Sequence, residues 1–288
     1  MLDPDSADLT LLQDRQVAVL GFDALAAAHA LNLRDSGVDV WVGVEPDSRL
    51  AARAEIEGLA VSPPEEAVER CDIVLVPAGE GHDQPDVTAY QRLIDAHAEP
   101  GDLVIVTSGA IVLRGGLTVP EGVDLAMLRA VGDGDRVREE YLDGRGCPAL
   151  VAVARDGSGA ARATLTAYAA AMGALRSGAI VTTIEHDARA ADHAEERVLG
   201  PLQGVVETAF DELVASGVEE EVAYLAVVHE LKTRVDQIAE AGFASQYGPG
   251  GQPGQSPGQA ETRRSAARAA HPLEQVGRRV RAMMSWIR

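Results

Sequence analysis

Along residues 1–180, short apolar runs alternate with stretches of helical spacing. Residues 16–22 (Gln-Val-Ala-Val-Leu-Gly-Phe) form one apolar run with a glycine near its end. Residues 24–35 follow, alanine-rich and helical in spacing, and Ser36-Gly37 leads into a second apolar run at 38–44. Strand, helix and strand joined this tightly open a parallel α/β sheet. The alternation predicts further helices at 49–57 and 87–96, and strands at 73–77, 103–107, 123–128 and 150–154. Together they read as a doubly wound, Rossmann-like parallel sheet.

From about residue 160 the texture changes. A helix fits 160–172, an extended stretch 180–183, and long helical patterns 187–216 and 219–241. A boundary near 178–186 gives a Rossmann-like domain over 1–180 and an all-helical domain over 181–288. Residues 247–262 are rich in Gly, Pro and Gln and read as a flexible segment without packing residues. A last helix fits 272–287, with Leu273, Val276, Val280, Met283, Met284 and Ile287 at helical spacing, a core or interface stripe.

Composition narrows the partners. With 46% hydrophobic residues in 288, the chain can bury two ordinary cores. A net charge of −20 argues against nucleic acid, which needs basic clusters. The basic stretch near the C-terminus, Arg278, Arg279, Arg281 and Arg288, reads as a solvated helix face. No long apolar run or basic leader is present, so a cytoplasmic protein without a membrane partner is expected. Cys71 and Cys147 have neither disulfide-framework nor metal spacing.

Several stretches then converge on one family. Residues 7–12 and 29–40 resemble the opening βαβ unit of the single-knot, short-chain ketol-acid reductoisomerases (class I-like). Residues 137–141 and 146–153 resemble the late part of that family's first domain. Val-His-Glu-Leu-Lys at 228–232 resembles its second metal-binding helix, and 271–286 its last helix. The resemblance implies a dinucleotide-binding domain followed by a knotted helical domain that dimerises. It also implies NAD(P)H and two magnesium ions in an alkyl shift followed by reduction.

The positions that carry this chemistry are substituted. Where the family has Gly-x-Gly-x-x-Gly, this chain has Gly21-Phe22-Asp23-Ala24-Leu25-Ala26, keeping the first glycine alone. Asp23 places a carboxylate where a diphosphate would sit, or caps the helix. Two like charges 4 Å apart cost roughly 4 kcal/mol at an effective dielectric near 20, about a thousandfold in affinity. Glu45 stands where the family often has an arginine for the 2′-phosphate of NADPH, and an acid there suits ribose hydroxyls or plain solvent. Ser48 remains a candidate phosphate contact. Ser108 replaces the family's histidine beside a glycine, and Ala130-Val131 replace its Pro-Lys pair.

The two metal helices, aligned on the family, keep Glu195 and Glu230 but have Ala191 and Ala226 in place of their partners four residues earlier. Asp192 and Glu196 keep that spacing one residue along, a step that turns a helix by about 100°. His193, Glu195, His229 and Glu230 form an alternative set for one softer metal, or are interface and surface polar groups. Ser245 is the nearest serine to the family's substrate-binding one.

The candidate catalytic residues are therefore Ser108, Glu195, His229 and Glu230. Gly21, Asp23, Glu45 and Ser48 mark the cofactor positions, and Glu195 and Glu230 the metal positions. The expectation is a reductoisomerase-like protein without bound cofactor, acting on a small-molecule ligand as a redox-free enzyme of isomerase or cyclase type, or as a binder, in specialised metabolism. The alternatives are a non-catalytic subunit, homodimeric or paired with an active relative, and a working reductoisomerase of branched-chain amino-acid biosynthesis.

Overall fold

The computed structural model describes residues 1–79 and 86–241. The expected segment 247–262, the helix at 272–287, Ser245 and the C-terminal arginines lie outside them. The chain divides into two compact units, Met1–Ala191 and Asp192–Arg288.

After two 3-10 turns, Pro4–Ser6 and Leu9–Leu12, the first unit runs β1 (Gln16–Leu20), α1 (Ala24–Asp35), β2 (Asp39–Gly43), α2 (Arg49–Ile56), β3 (Ala60–Ser62) and α3 (Pro64–Arg70). Next come β4 (Ile73–Val76), α4 (Val87–His97), β5 (Leu103–Val106), α5 (Gly109–Leu113), β6 (Asp124–Ala130) and α6 (Gly134–Leu142). The unit closes with β7 (Ala149–Arg155), α7 (Ala161–Ala171), α8 (Ala174–Ser177), β8 (Ala179–Val181) and α9 (Ile184–Ala194), whose last turn crosses the division.

The eight strands lie in the order β3-β2-β1-β4-β5-β6-β7-β8. Every neighbouring pair is parallel except β6 with β7, which are antiparallel with a register shift between Leu125 and Ala126. The sheet is therefore the expected doubly wound one with a single reversed joint. Apolar runs do not announce direction, because a strand covered on both faces looks alike either way. The three-residue β3 and the short helices α3, α5 and α6 were not separated in the sequence pattern, being briefer than the windows that carry periodicity.

Side chains alternate along each strand and build a core on either face. Val17 and Val19 join Ile105, Leu128 and Tyr168 on the α1/α7 side, and Ala18 and Leu20 join Val106, Met127 and Ile184 on the other. One polar pair sits inside the first core. His29 of α1 and Tyr168 of α7 are both fully buried, with Nδ1 and the phenol oxygen 3.0 Å apart. Burial pushes the His29 imidazole down to about 3, so it is neutral in the fold.

In the second unit, α10 (Gly200–Ala215), α11 (Glu220–Tyr224) and α12 (Glu230–Ala241) are joined with two π-helical segments, Glu195–Leu199 and Leu225–His229. The long helices expected at 187–216 and 219–241 are thus each broken by a π segment. Pro201 accounts for the first: it lacks an N–H and crowds the carbonyl four residues back, and a wider turn relieves both. No proline or glycine explains the second. No described helix is long and apolar enough to cross a membrane.

The buried imidazole makes stability pH-dependent. An unfolded histidine takes up a proton near pH 6.5, whereas folded His29 does so only near 3. Stability is expected to fall as pH drops below 6.5, by about 2 kcal/mol between pH 6.5 and 5. In His29→Gln the difference between urea midpoints at pH 7.5 and 5 should shrink accordingly. An unchanged difference would assign the acid sensitivity elsewhere.

Candidate functional site

Ligands of doubly wound sheets bind beyond the carboxyl ends of the strands, where helix N-termini gather. Here β1 is followed by Gly21, with φ +77°, a left-handed value that glycine adopts without strain. Its N–H donates to the Gly43 carbonyl at 3.0 Å, tying the turn to β2. Asp23 caps α1, its Oδ1 accepting the Ala26 N–H at 2.8 Å. The carboxylate occupies the polar niche that a phosphate oxygen uses at such a helix start.

Other groups close on the same turn. A Cβ built on Gly21 would stand 3.8 Å from the Tyr90 hydroxyl of α4 and 3.9 Å from Pro77. Burial, then the charges of Asp23 and Asp86, raise the Tyr90 phenol above its ordinary range. At the start of α6, Gly134 packs so tightly that a Cβ would overlap the Ala24 backbone. At the end of β2, Glu45 is exposed and its carbonyl accepts the Ser48 N–H at 3.0 Å. The Ser48 hydroxyl in turn accepts the Ala51 N–H at 3.1 Å and caps α2.

The loop after β5 is held from several directions. Thr107 Oγ1 accepts the Ala78 N–H at 2.8 Å, and Ser108 caps α5 by accepting the Ala110 N–H at 3.2 Å. The Gly109 N–H donates to Asp187 Oδ2 of α9 at 3.0 Å. A Cβ on Gly109 would lie 2.5 Å from the Ile184 carbonyl oxygen, so only glycine lets α9 approach. Ser108 lines a cavity of about 460 Å³ with Ala78, Val87, Ala110, Ile111 and Arg114. At the end of β6, Ala130 is buried, while Val131 is exposed and donates its N–H to the Pro148 carbonyl at 2.8 Å.

Sequence reasoning passed over the pair that organises this corner. Asp187, with a fully buried side chain, has its Oδ1 2.6 Å from Arg129 Nε. By distance this is an ion pair, although the N–H is not aimed for a hydrogen bond. An arginine near the end of the apolar strand β6 was the available signal, since a cation there needs an acid. Its partner lies far along the chain and is visible only in three dimensions.

In the second unit, Glu195 opens the first π segment and Glu230 follows the second, and both are exposed, as are His193 and His229. The Glu230 N–H bonds to the Leu225 carbonyl, so Leu225 rather than Ala226 lies one turn below Glu230. Among the described residues of one chain, no three His, Cys, Asp or Glu side chains converge on a metal position. The structure thus does not bring His193, Glu195, His229 and Glu230 together within a single chain.

A doubly wound unit with a glycine turn after β1, followed by a helical unit, is the architecture of a Rossmann-type oxidoreductase. The profile described as "Acetohydroxy acid isomeroreductase, NADPH-binding domain" matches residues 11–178. "Ketol-acid reductoisomerase, C-terminal domain" matches residues 190–259. The NADP(+) ketol-acid reductoisomerase of Kocuria rhizophila is 40% identical over 243 residues, which are 84% of this chain and 70% of the relative. That of Kineococcus radiotolerans is 41% identical over the same shares. The solved NADH-preferring ketol-acid reductoisomerase from an uncultured archean superposes with a TM-score of 0.75 at 26% identity, covering 98% of this chain and 84% of its own. A semialdehyde dehydrogenase NAD-binding protein from Cupriavidus necator shares the fold alone, with a TM-score of 0.61 at 18% identity over 94% of this chain and 99% of that one. The chain belongs to the ketol-acid reductoisomerase family.

The cap on α1 can be weighed directly. Asp23→Ala removes the acceptor for Ala26 N–H and is expected to cost about 1 kcal/mol of stability in urea denaturation. No loss would mean that water or another group already satisfies that donor.

Proposed function

We propose that this family member has left the NADPH- and magnesium-dependent reaction. In this reading it works as a redox-free enzyme of isomerase or cyclase type, or as a small-molecule binder, in specialised metabolism. The observation that carries the reading is the β1–α1 turn, where Asp23 takes the Ala26 N–H and Tyr90 stands over Gly21. A pyrophosphate entering there meets a carboxylate instead of free N–H groups. Glu45, exposed at the end of β2, adds a second acid on the side of the adenosine ribose.

The metal positions support the same reading. Magnesium asks for about six oxygens in near-octahedral geometry, and Ala191 and Ala226 offer none. Glu195 and Glu230 are left as single carboxylates on separate helices. The residues present do not fit a magnesium pair, and no step is routed through one. Ser108, His229, Glu195 and Glu230 remain the candidate acid–base groups.

The apolar surface of the helical unit favours a second reading, a non-catalytic subunit. Val198, Leu199, Val205, Val222, Tyr224 and Leu225 are all exposed, and Ala223 is the one buried residue among the described part of that unit. Such faces need cover. A second copy, through the knotted helical domain that the family implies, supplies it in both readings, and an active relative is the other candidate partner.

Two measurements test this. Calorimetry with NADPH is expected to give no binding at sub-millimolar concentration, and NADPH consumption with acetolactate and excess Mg²⁺ no turnover. A micromolar Kd, or turnover that vanishes in Glu195→Ala, would instead support a working reductoisomerase of branched-chain amino-acid biosynthesis. Sedimentation of the full chain is expected to give a dimer that Leu225→Asp shifts towards monomer. A stable wild-type monomer would overturn the pairing.

A further inference from the structure

We propose that a trench on the outer flank of α1 binds an aliphatic α-amino acid, with its carboxylate on Arg53 and its ammonium on Asp135. The inference goes beyond the reading above and does not depend on it. Helical spacing sets the floor of the trench. Ala26, Ala30 and Leu33 of α1 are fully buried in the core that covers one face of the sheet. Ala24, Ala27, Ala28 and Leu31, a stripe at three- and four-residue steps, therefore face away from the sheet. That stripe floors a cavity of about 260 Å³, with α2 contributing Arg53 and Glu57 to its lining and α6 contributing Asp135 and Arg138.

Contacts with α1 place these charges along the trench. The Arg53 guanidinium carbon stands 5.9 Å from the centre of the Phe22 ring, just ahead of α1, and Phe22 lines the same cavity. At Gly134 a Cβ would overlap the Ala24 backbone, so the neighbouring Asp135 also stands by the first turn of α1. Arg138 reaches the far end, donating to Asn32 Oδ1 at 2.8 Å and pairing with Asp35. Glu57 belongs to that end too, since its carbonyl accepts from Arg34. The near end thus holds one cation and one acid, brought from different helices.

The near pair is the one left open. Arg138 is neutralised by Asp35, whereas Arg53 and Asp135 have no ion-pair partner among the described residues. Glu57 follows Arg53 by four residues on α2, the spacing of a surface ion pair. The guanidinium stands by Phe22 instead, a contact that leaves N–H donors for an acceptor in the cavity. A simple carboxylate would meet repulsion from Asp135, and a simple amine from Arg53. A ligand with both charges satisfies each. Its body must be apolar, because the α1 stripe carries no polar side chain, and Ile56, 84% exposed, adds apolar surface to the lining. The volume lies below the roughly 300–1,000 Å³ of sites for drug-sized ligands, which suits a molecule as small as leucine.

The test uses the full-length protein and ligand-observed NMR with calorimetry, on leucine, leucinamide and N-acetylleucine. Leucine is expected to bind at millimolar Kd or tighter. Leucinamide lacks the carboxylate and N-acetylleucine the ammonium, and each is expected to bind roughly tenfold more weakly. Arg53→Gln should weaken leucine by roughly tenfold and erase its advantage over leucinamide. Asp135→Asn should do the same against N-acetylleucine. Glu57→Gln should bind leucine as wild type does, and Ala27→Leu, which fills the floor, should lose binding with both charges in place. Arg53, Asp135 and Glu57 are exposed, and circular dichroism melts check that each variant is folded. The site is overturned if leucine does not bind wild-type protein at millimolar concentration, or if the three compounds bind alike. It is also overturned if Arg53→Gln binds leucine unchanged, or if Glu57→Gln rather than Asp135→Asn loses the preference for the ammonium.

Discussion

The constraint on which the first unit depends is the set of unpaired N–H groups at the carboxyl edge of its sheet. Each parallel strand delivers the chain to a helix start, and each helix start leaves donors without intrahelical partners. In a dinucleotide enzyme some of these donors wait for phosphate. Here side chains of the chain itself take them: Asp23 on α1, Ser48 on α2, Asp86 on α4, Ser108 on α5 and Asp133 on α6. Self-capping stabilises each helix by about 1 kcal/mol and places acids along the edge where an anionic cofactor would lie. In the reading proposed above, the Asp23 cap that secures α1 also sets a carboxylate where a phosphate would lie.

The corner at Ser108 follows the same logic with a longer reach. The donor at Gly109 is met by Asp187, which lies on another helix and carries a buried charge that must be paired. Arg129 provides the pairing from the neighbouring strand. Three segments far apart in sequence are thus locked by one carboxylate, and the absence of a Cβ at Gly109 is what allows the approach. In the helical unit the governing feature is different. One π segment begins at Glu195 and the other ends just before Glu230, and at the second the wider turn puts Leu225 rather than Ala226 one turn below Glu230.

Much of the fold was legible because it is written in local periodicity. The helix at 24–35 and the apolar runs of β1, β2, β4, β5 and β7 follow from spacing alone, since burial on both faces demands near-continuous apolar strands. The cap at Asp23 was legible too, from an Asp just ahead of an alanine-rich helix. Tyr90 over Gly21, the reversed β7 and the short β3 were not. The first depends on how α4 packs, the second on the path of the connection after α6, and the third on an edge strand too brief to carry a pattern. The π segment at Leu225–His229 had no signal in composition at all.

By itself, the sequence determined the alternation of strand and helix, the change to helices after residue 160 and the family. These are properties of neighbours in the chain, or of aligned positions, and need no third dimension. The tertiary structure alone decided that Asp187 reaches Gly109 and Arg129, that Tyr90 stands over the turn at Gly21, and that His29 is buried against Tyr168. Each of these joins groups tens of residues apart. Their energies come from desolvation and charge pairing, which depend on distance and burial in space, quantities that separation along the chain does not encode.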